Sequence, residues 1–284
     1  MKVLVLGAGD LGTEAGLRFA AAGHHVTAWR RRPEVLPASF GTRRVDLGDA
    51  GTELPAIDPA TDIVVFTPAA PERSEEAYRR TYLDATHRVL DALERDGVDP
   101  QRFLLVSSTA VYGDAAGGWV DEDTPISPRT ETAQILAETE AAVRERATTP
   151  IILRLAGIYG PGRNHLVSQV RNGKARTPGE TVWTNRIHRD DAAAAIVQLC
   201  TMDTAPAPLY LGVDHEPVDL GEVQGFLASS LGVPRPEVGE APVNRGGDRR
   251  LSNARLLASG FEFTFPTYRE GYSSVLAGEG VRHP

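Results

Sequence analysis

Residues 2–12 read Lys-Val-Leu-Val-Leu-Gly-Ala-Gly-Asp-Leu-Gly, an apolar run that passes directly into a GxGxxG spacing. Lys2–Leu6 has the character of a buried strand and Thr13–Ala22 that of a helix, so the glycines fall at a strand-to-helix turn. Gly7 then permits the tight turn, Gly9 lets the backbone approach a pyrophosphate, and Gly12 brings helix close to strand. The helix start, with Asp10 and Leu11 in its first turn, offers unpaired N–H groups and partial positive charge to phosphates. A bare GxGxxG is also an ordinary glycine turn. Strand before and helix after make this one a dinucleotide-binding fingerprint.

The rest of the chain alternates in the same way. Strands are predicted at 2–6, 25–29, 43–46, 62–67, 102–106, 151–156 and 209–213. Helices are predicted at 10–22, 72–96, 129–147, 165–172, 190–203, 219–231 and 252–259. Continuous apolar runs such as Ile63–Phe66 and Phe103–Val106 suit parallel strands covered on both faces. The fold class is therefore α/β, a doubly wound Rossmann sheet with right-handed crossovers. Regularity fades after residue 157, where Pro and Gly crowd the loops. The expected organisation is a nucleotide-binding domain over 1–157, with 190–213 returning to it, and a smaller irregular lobe over 158–284.

Composition narrows the classes. At 284 residues and 41% hydrophobic content the chain can bury a full core. No apolar run approaches a membrane span, and mean hydropathy is −0.23, so no membrane association is expected. The first strand begins at Met1 with no basic segment, apolar h-region or cleavage site, so secretion is not expected and a cytoplasmic location is. The net charge of −8, with no basic tract beyond Arg30-Arg31-Arg32, argues against a nucleic-acid partner. The single cysteine, Cys200, excludes an internal disulfide and a cysteine zinc site, and it reads as a core thiol. No metal site is expected.

The end of the second strand selects the cofactor. An NAD site usually places an acid about 20 residues past the glycines, on the ribose 2′-OH. Here Ala28-Trp29 runs into three arginines. Guanidinium groups suit a 2′-phosphate, which an acid would repel, so Arg30 and Arg31 favour NADP over NAD. A solvated basic turn is the plain alternative. Asp46 and Leu47 could flank the adenine, with Asp46 accepting from its amino group, although an Asp there is as often a turn residue. Thr67, Pro68 and Ala69 form a small-residue surface for the ribose and phosphates.

Three further segments, Val106-Ser-Ser108-Thr-Ala-Val-Tyr112-Gly, Arg154-Leu-Ala-Gly-Ile-Tyr159-Gly-Pro-Gly162 and Arg186-Ile-His188-Arg-Asp-Asp191, join the GAGDLG turn in resembling a known family. It is that of the extended short-chain dehydrogenase/reductases, the NAD(P)-dependent epimerases and dehydratases. The ending, from Arg250-Leu-Ser-Asn-Ala-Arg to Gly271-Tyr272, is similar to the atypical YeeZ-like branch. The resemblance spans the chain and implies a small-molecule substrate, a nucleotide sugar or similar carbonyl or alcohol. It also implies a homodimer through helices 72–96 and 129–147.

It implies a catalytic Ser, Tyr and Lys as well, and two of these are missing. Ser108 matches the Ser, but Thr130 stands at the Tyr and Gln134 at the Lys. An alkyl hydroxyl is too weak an acid to replace an activated phenol, and Gln134 carries no charge to lower a neighbour's pKa. Tyr112, in a loop expected to open toward the nicotinamide, and Tyr82, on helix 72–96, are the candidate replacement acids. Either could equally be a packing residue. Arg163, Arg186 and Arg250 could grip an anionic substrate in the second lobe, with Tyr159 and His188 as further substrate-binding candidates, although the resemblance implies that the His188 segment is equally a core element crossing under the cleft. Asp190 and Asp191 read as N-caps, Ser252 as another. Two functional classes stay open: an NADP-dependent oxidoreductase or epimerase with a non-standard site, and a dinucleotide-binding regulator without catalysis.

Overall fold

The apolar runs assemble into one parallel sheet. The computed structural model describes residues 1–240 and 247–284. The main strands are β1 (Lys2–Leu6), β2 (His25–Arg30), β3 (Gly41–Arg44), β4 (Ile63–Phe66), β5 (Arg102–Ser108), β7 (Pro150–Leu155) and β11 (Leu209–Gly212). They lie in the order β3-β2-β1-β4-β5-β7-β11, every neighbouring pair parallel. Short strands pair in twos beyond the sheet: β6 (Trp119–Val120) with β13 (Arg250–Leu251), β8 (Gly157–Tyr159) with β10 (Arg186–His188), and β9 (Trp183–Thr184) with β12 (Val218–Asp219).

Why the central strands β1, β4 and β5 are apolar on both faces is visible in their alternation. Val3, Val5, Ile63, Val65 and Leu104 pack with Phe19 of α1 (Asp10–Ala21) and Ile196 and Leu199 of α6 (Arg189–Thr201). Their neighbours Leu4, Leu6, Val64, Phe66 and Leu105 face the opposite layer, with Val89 and Leu93 of α3 (Ala85–Arg95) and Val143 of α4 (Glu131–Arg146). With helices on both faces, a period of two leaves no solvent side for polar residues. A separate core under α5 (His165–Arg171), α7 (Leu220–Leu231) and α9 (Tyr268–Ala277) holds the second lobe together. After β8 the chain leaves the sheet and comes back, through α6, to add β11 beside β7.

Several local readings are corrected. The helix predicted over 72–96 is α2 (Glu75–Tyr78), a π-helical turn at Arg79–Asp84, and α3. The wide turn stacks Tyr78 on Tyr82 with ring centroids 5.0 Å apart. The cap of α6 is His188, whose Nδ1 accepts from the Asp190 N–H at 3.2 Å. Asp191 instead accepts from the Thr264 and Phe265 N–H groups, at 2.9 Å each, and anchors the later chain. Ser252 accepts from Ala254 N–H just before α8 (Ala254–Ala258). Helix α9 falls outside the predicted elements, though its Thr267 and Glu270 form a reciprocal capping box.

Candidate functional site

The glycine turn is built as a phosphate cradle needs. Gly7 has φ +72, and a side chain on it would meet the Thr67 carbonyl at 3.0 Å. A Cβ on Gly12 would lie 2.5 Å from Thr67 Oγ1, so α1 can approach the sheet only because that position is bare. Gly9 is the N-cap of α1 and has no side chain to satisfy the helix's first N–H groups, which include those of Leu11 and Gly12. A phosphate is the natural partner for donors left open in this way.

Beyond the turn lies a cavity of about 510 Å³. Gly7 and Gly9 form one wall, and Trp29, Val45, Leu47, Phe66, Pro68 and Ala69 supply the apolar lining. Arg30, Arg31, Arg32 and Arg80 line the same space. Among the described residues none of these four has an Asp or Glu carboxylate within ion-pair distance, and Arg30 donates to the Pro284 oxygen at 2.9 Å. Burial, and then the charges of Arg32 and Arg31, hold the Arg30 guanidinium below its ordinary range, with Glu34 opposing. Uncompensated like charges at a cavity wall are relieved by a bound anion. Asp46 lies at the rim, with Oδ1 accepting from Gly48 N–H at 3.0 Å.

Thr67 acts on the cradle from behind. Buried, it donates from Oγ1 to the Gly7 carbonyl at 3.0 Å. Asp10 also turns away from the cavity. Its carboxylate pairs with Arg189 at 2.7 Å and Arg163 at 2.9 Å, and accepts from the His283 N–H at 3.1 Å. Arg163 is thereby tied to the glycine turn, and the wholly buried Arg189 was not anticipated at all.

At the end of β5, Ser108 caps a short 3-10 turn (Thr109–Tyr112), accepting from Ala110 N–H at 3.2 Å. The expectation that this turn opens Tyr112 to the cleft is corrected. The Tyr112 ring is buried, its hydroxyl meets no partner at good hydrogen-bond geometry among the described residues, and the Arg154 guanidinium sits 4.7 Å from the ring centroid. Arg154 itself makes a buried bidentate pair with Glu140, which also accepts from Ser107 Oγ at 2.6 Å. Thr130 is exposed and caps α4 through Ala133 N–H at 3.1 Å, and Gln134, exposed on the next turn, reaches Glu138 at 3.3 Å. Tyr82 is half-buried, and desolvation pushes its pKa up to about 12.

The second-lobe residues are drawn inward. Arg186 and His188 are buried on β10, and Tyr159 on β8 meets His188 edge-on at 5.3 Å. Burial pushes His188 down to about 4, with Asp190 opposing it, so its imidazole is neutral at neutral pH. Tyr159 Oη, Arg186 Nη1, His188 Nε2 and Asp214 Oδ2 are all buried without hydrogen-bond partners among the described residues. Arg250 lies near both indoles of Trp119 and Trp183, 5.2 and 5.0 Å from their ring centroids, and donates to the Gly117 carbonyl at 2.8 Å.

The model of the NAD dependent epimerase/dehydratase family matches residues 3–210, the stretch that carries both the cradle and the sheet. The chain belongs to that family. It is similar to protein YeeZ of Escherichia coli K12, 31% identical over 275 residues covering 93% of this chain and 96% of that one. A solved structure from Methylobacillus flagellatus assigned to the NAD-dependent epimerase/dehydratases is 34% identical, with TM-score 0.78 and 97% of each chain covered. MoeE5, solved with UDP-glucose and NAD, is 25% identical, with TM-score 0.79 and 98% of each chain covered. Among the described residues no group of three His, Cys, Asp or Glu could hold a metal, and no helix is long and apolar enough to cross a membrane.

Proposed function

We propose that this chain is an NADP(H)-dependent oxidoreductase that reduces a nucleotide sugar or similar small carbonyl compound, using a proton donor other than the family's tyrosine–lysine pair. The observation that carries the reading is the arginine-lined cavity: four guanidinium groups without Asp or Glu partners among the described residues, beside an open helix start, in a chain of net charge −8. The dinucleotide supplies hydride when bound. The chain's own part is to hold its phosphates at the bare first turn of α1 and its 2′-phosphate at Arg30 and Arg31. The neighbour MoeE5 holds UDP-glucose and NAD in the same fold, which supports the substrate class.

Tyr82 is the proposed proton donor. With its pKa pushed up to about 12, the phenol stays protonated at neutral pH, so it can give a proton but not abstract one. That asymmetry favours carbonyl reduction over alcohol oxidation. Helices α3 and α4, packed on one side of the sheet, are the proposed homodimer face, and the cytoplasm is the proposed compartment.

A second reading, a dinucleotide-binding regulator, is favoured by one observation. Thr130 and Gln134, at the family's Tyr and Lys positions, serve as a helix cap and an exposed neutral amide. Calorimetry with NADP+ and NAD+, followed by NADPH consumption against a panel of nucleotide sugars and small carbonyls, separates the outcomes. NADP+ preference with turnover supports the enzyme, and NADP+ preference without turnover on any of them supports the regulator. Equal binding of both nucleotides overturns the cofactor assignment.

A further inference from the structure

The segment Gly280–Pro284 lies across the start of α1 and ends on an arginine of the cavity. Gly280 has φ +80 and packs on Pro161, where a Cβ would approach Pro161 Cγ to 2.6 Å. The Val281 carbonyl accepts from Arg189 at 2.8 Å, and Arg282 donates to the Gly162 carbonyl at 3.1 Å. The His283 N–H donates to Asp10 Oδ1 at 3.1 Å, and its Nε2 lies 2.8 Å from Glu14. The backbone oxygen of Pro284 then accepts from Arg30 at 2.9 Å. Residues 281–284 are each held by a hydrogen bond, and His283 makes two, to Asp10 and Glu14 in the first turns of α1.

We infer that residues 280–284 are a cofactor-selecting strap, in which Pro284 competes with a 2′-phosphate for Arg30. The inference rests on the cofactor reading above. A guanidinium can serve both a backbone oxygen and a phosphate only by sharing its donors, and a dianionic phosphate is the stronger acceptor. A dinucleotide with a free 2′-OH makes no such demand and leaves the strap seated. Linkage makes the effect reciprocal: if a 2′-phosphate loosens the strap, the strap weakens 2′-phosphate binding by the same factor. Asp10 joins the two halves, because its carboxylate holds both the strap, at His283, and Arg163 from the second lobe.

Two measurements on the full chain test this. Hydrogen exchange followed by mass spectrometry on the C-terminal peptide, which contains the His283 amide bonded to Asp10, should quicken with NADP+ and stay slow with NAD+. Removal of residues 281–284 should tighten NADP+ binding about fivefold or more and leave NAD+ binding unchanged. Arg30→Ala should quicken exchange of the same peptide without any nucleotide; an unchanged rate overturns the strap. A truncated chain that prefers NADP+ no more than the full chain does refutes the strap alone. A truncated chain with no preference for NADP+ at all refutes the cofactor reading, and the strap's selecting role with it.

Discussion

Thr67 donates its hydroxyl to the Gly7 carbonyl and fills the space that a side chain on Gly12 would need. One residue at the end of β4 therefore fixes both the shape of the glycine turn and the closeness of α1. Gly12→Ala should cost about 1–3 kcal/mol through this overlap and weaken dinucleotide binding. Adding Thr67→Ala should restore part of that loss. Denaturant midpoints of the two single variants and the double variant form the cycle; strict additivity would assign the cost to some other contact.

Arg31→Glu and Arg30→Glu should each weaken NADP+ binding about ten- to hundredfold, the worth of a charge-assisted hydrogen bond. NAD+ binding should change far less. Calorimetric titration of both nucleotides reads the ratio directly. Equal losses would place the arginines away from the 2′-phosphate.

Tyr82→Phe should lower the rate of carbonyl reduction about a hundredfold, a usual size for loss of a general acid. NADPH affinity should be preserved, because the ring and its stacking on Tyr78 remain. Tyr112→Phe should leave the rate nearly unchanged, since the Tyr112 hydroxyl is buried and meets no partner at good hydrogen-bond geometry among the described residues. Single-turnover rates with saturating NADPH distinguish the two.

The ion pair of Arg154 and Glu140 is buried on both sides. Glu140→Leu should destabilise the fold by about 3–5 kcal/mol, because it strands a guanidinium in the core. Replacing both, with Arg154→Met added, should recover most of that loss. Thermal and urea unfolding would measure it.

Asp214 and His188 set opposing pH slopes. Burial raises the Asp214 carboxyl to about 7, so between about pH 4 and 7 the native state keeps a proton that the unfolded chain has lost. Stability from this group falls as pH rises through that window and is flat above it. Burial holds His188 at about 4, so its contribution rises with pH up to its unfolded value near 6.5. Asp214→Asn should therefore gain on the wild type from pH 4 to 7, by on the order of 3 kcal/mol. A constant difference across that range would show that Asp214 titrates normally.

Strands β1, β4, β5, β7 and β11 and the cradle were legible because they rest on local signals, continuous apolar runs and glycine spacing, whereas β3, a polar Gly-Thr-Arg-Arg, lies two residues before the predicted 43–46. The π-helical turn was not. Arg79–Asp84 has ordinary helix formers, and only packing against α4 and the cavity wall decides its width. Arg80 was invisible for the same reason, since nothing in its neighbours says that it shares a cavity with Arg30. What the Asp10 carboxylate does was hidden because its partners, Arg189 and Arg163, are distant in sequence. The capping box Thr267-Tyr-Arg-Glu270 was a readable helix start that passed as a loop.

The return of the chain to add β11 beside β7 has a consequence for biosynthesis. Until Leu209–Gly212 leaves the ribosome, Ile151, Ile152 and Leu153 of β7 sit on a sheet edge with open hydrogen-bonding groups. Roughly fifty further residues must be translated first, about 3–10 seconds at usual elongation rates. During that interval the nascent sheet offers a sticky apolar margin to any other chain. A fragment ending near residue 157 would keep that margin permanently, and should form insoluble aggregates rather than an isolated nucleotide-binding domain.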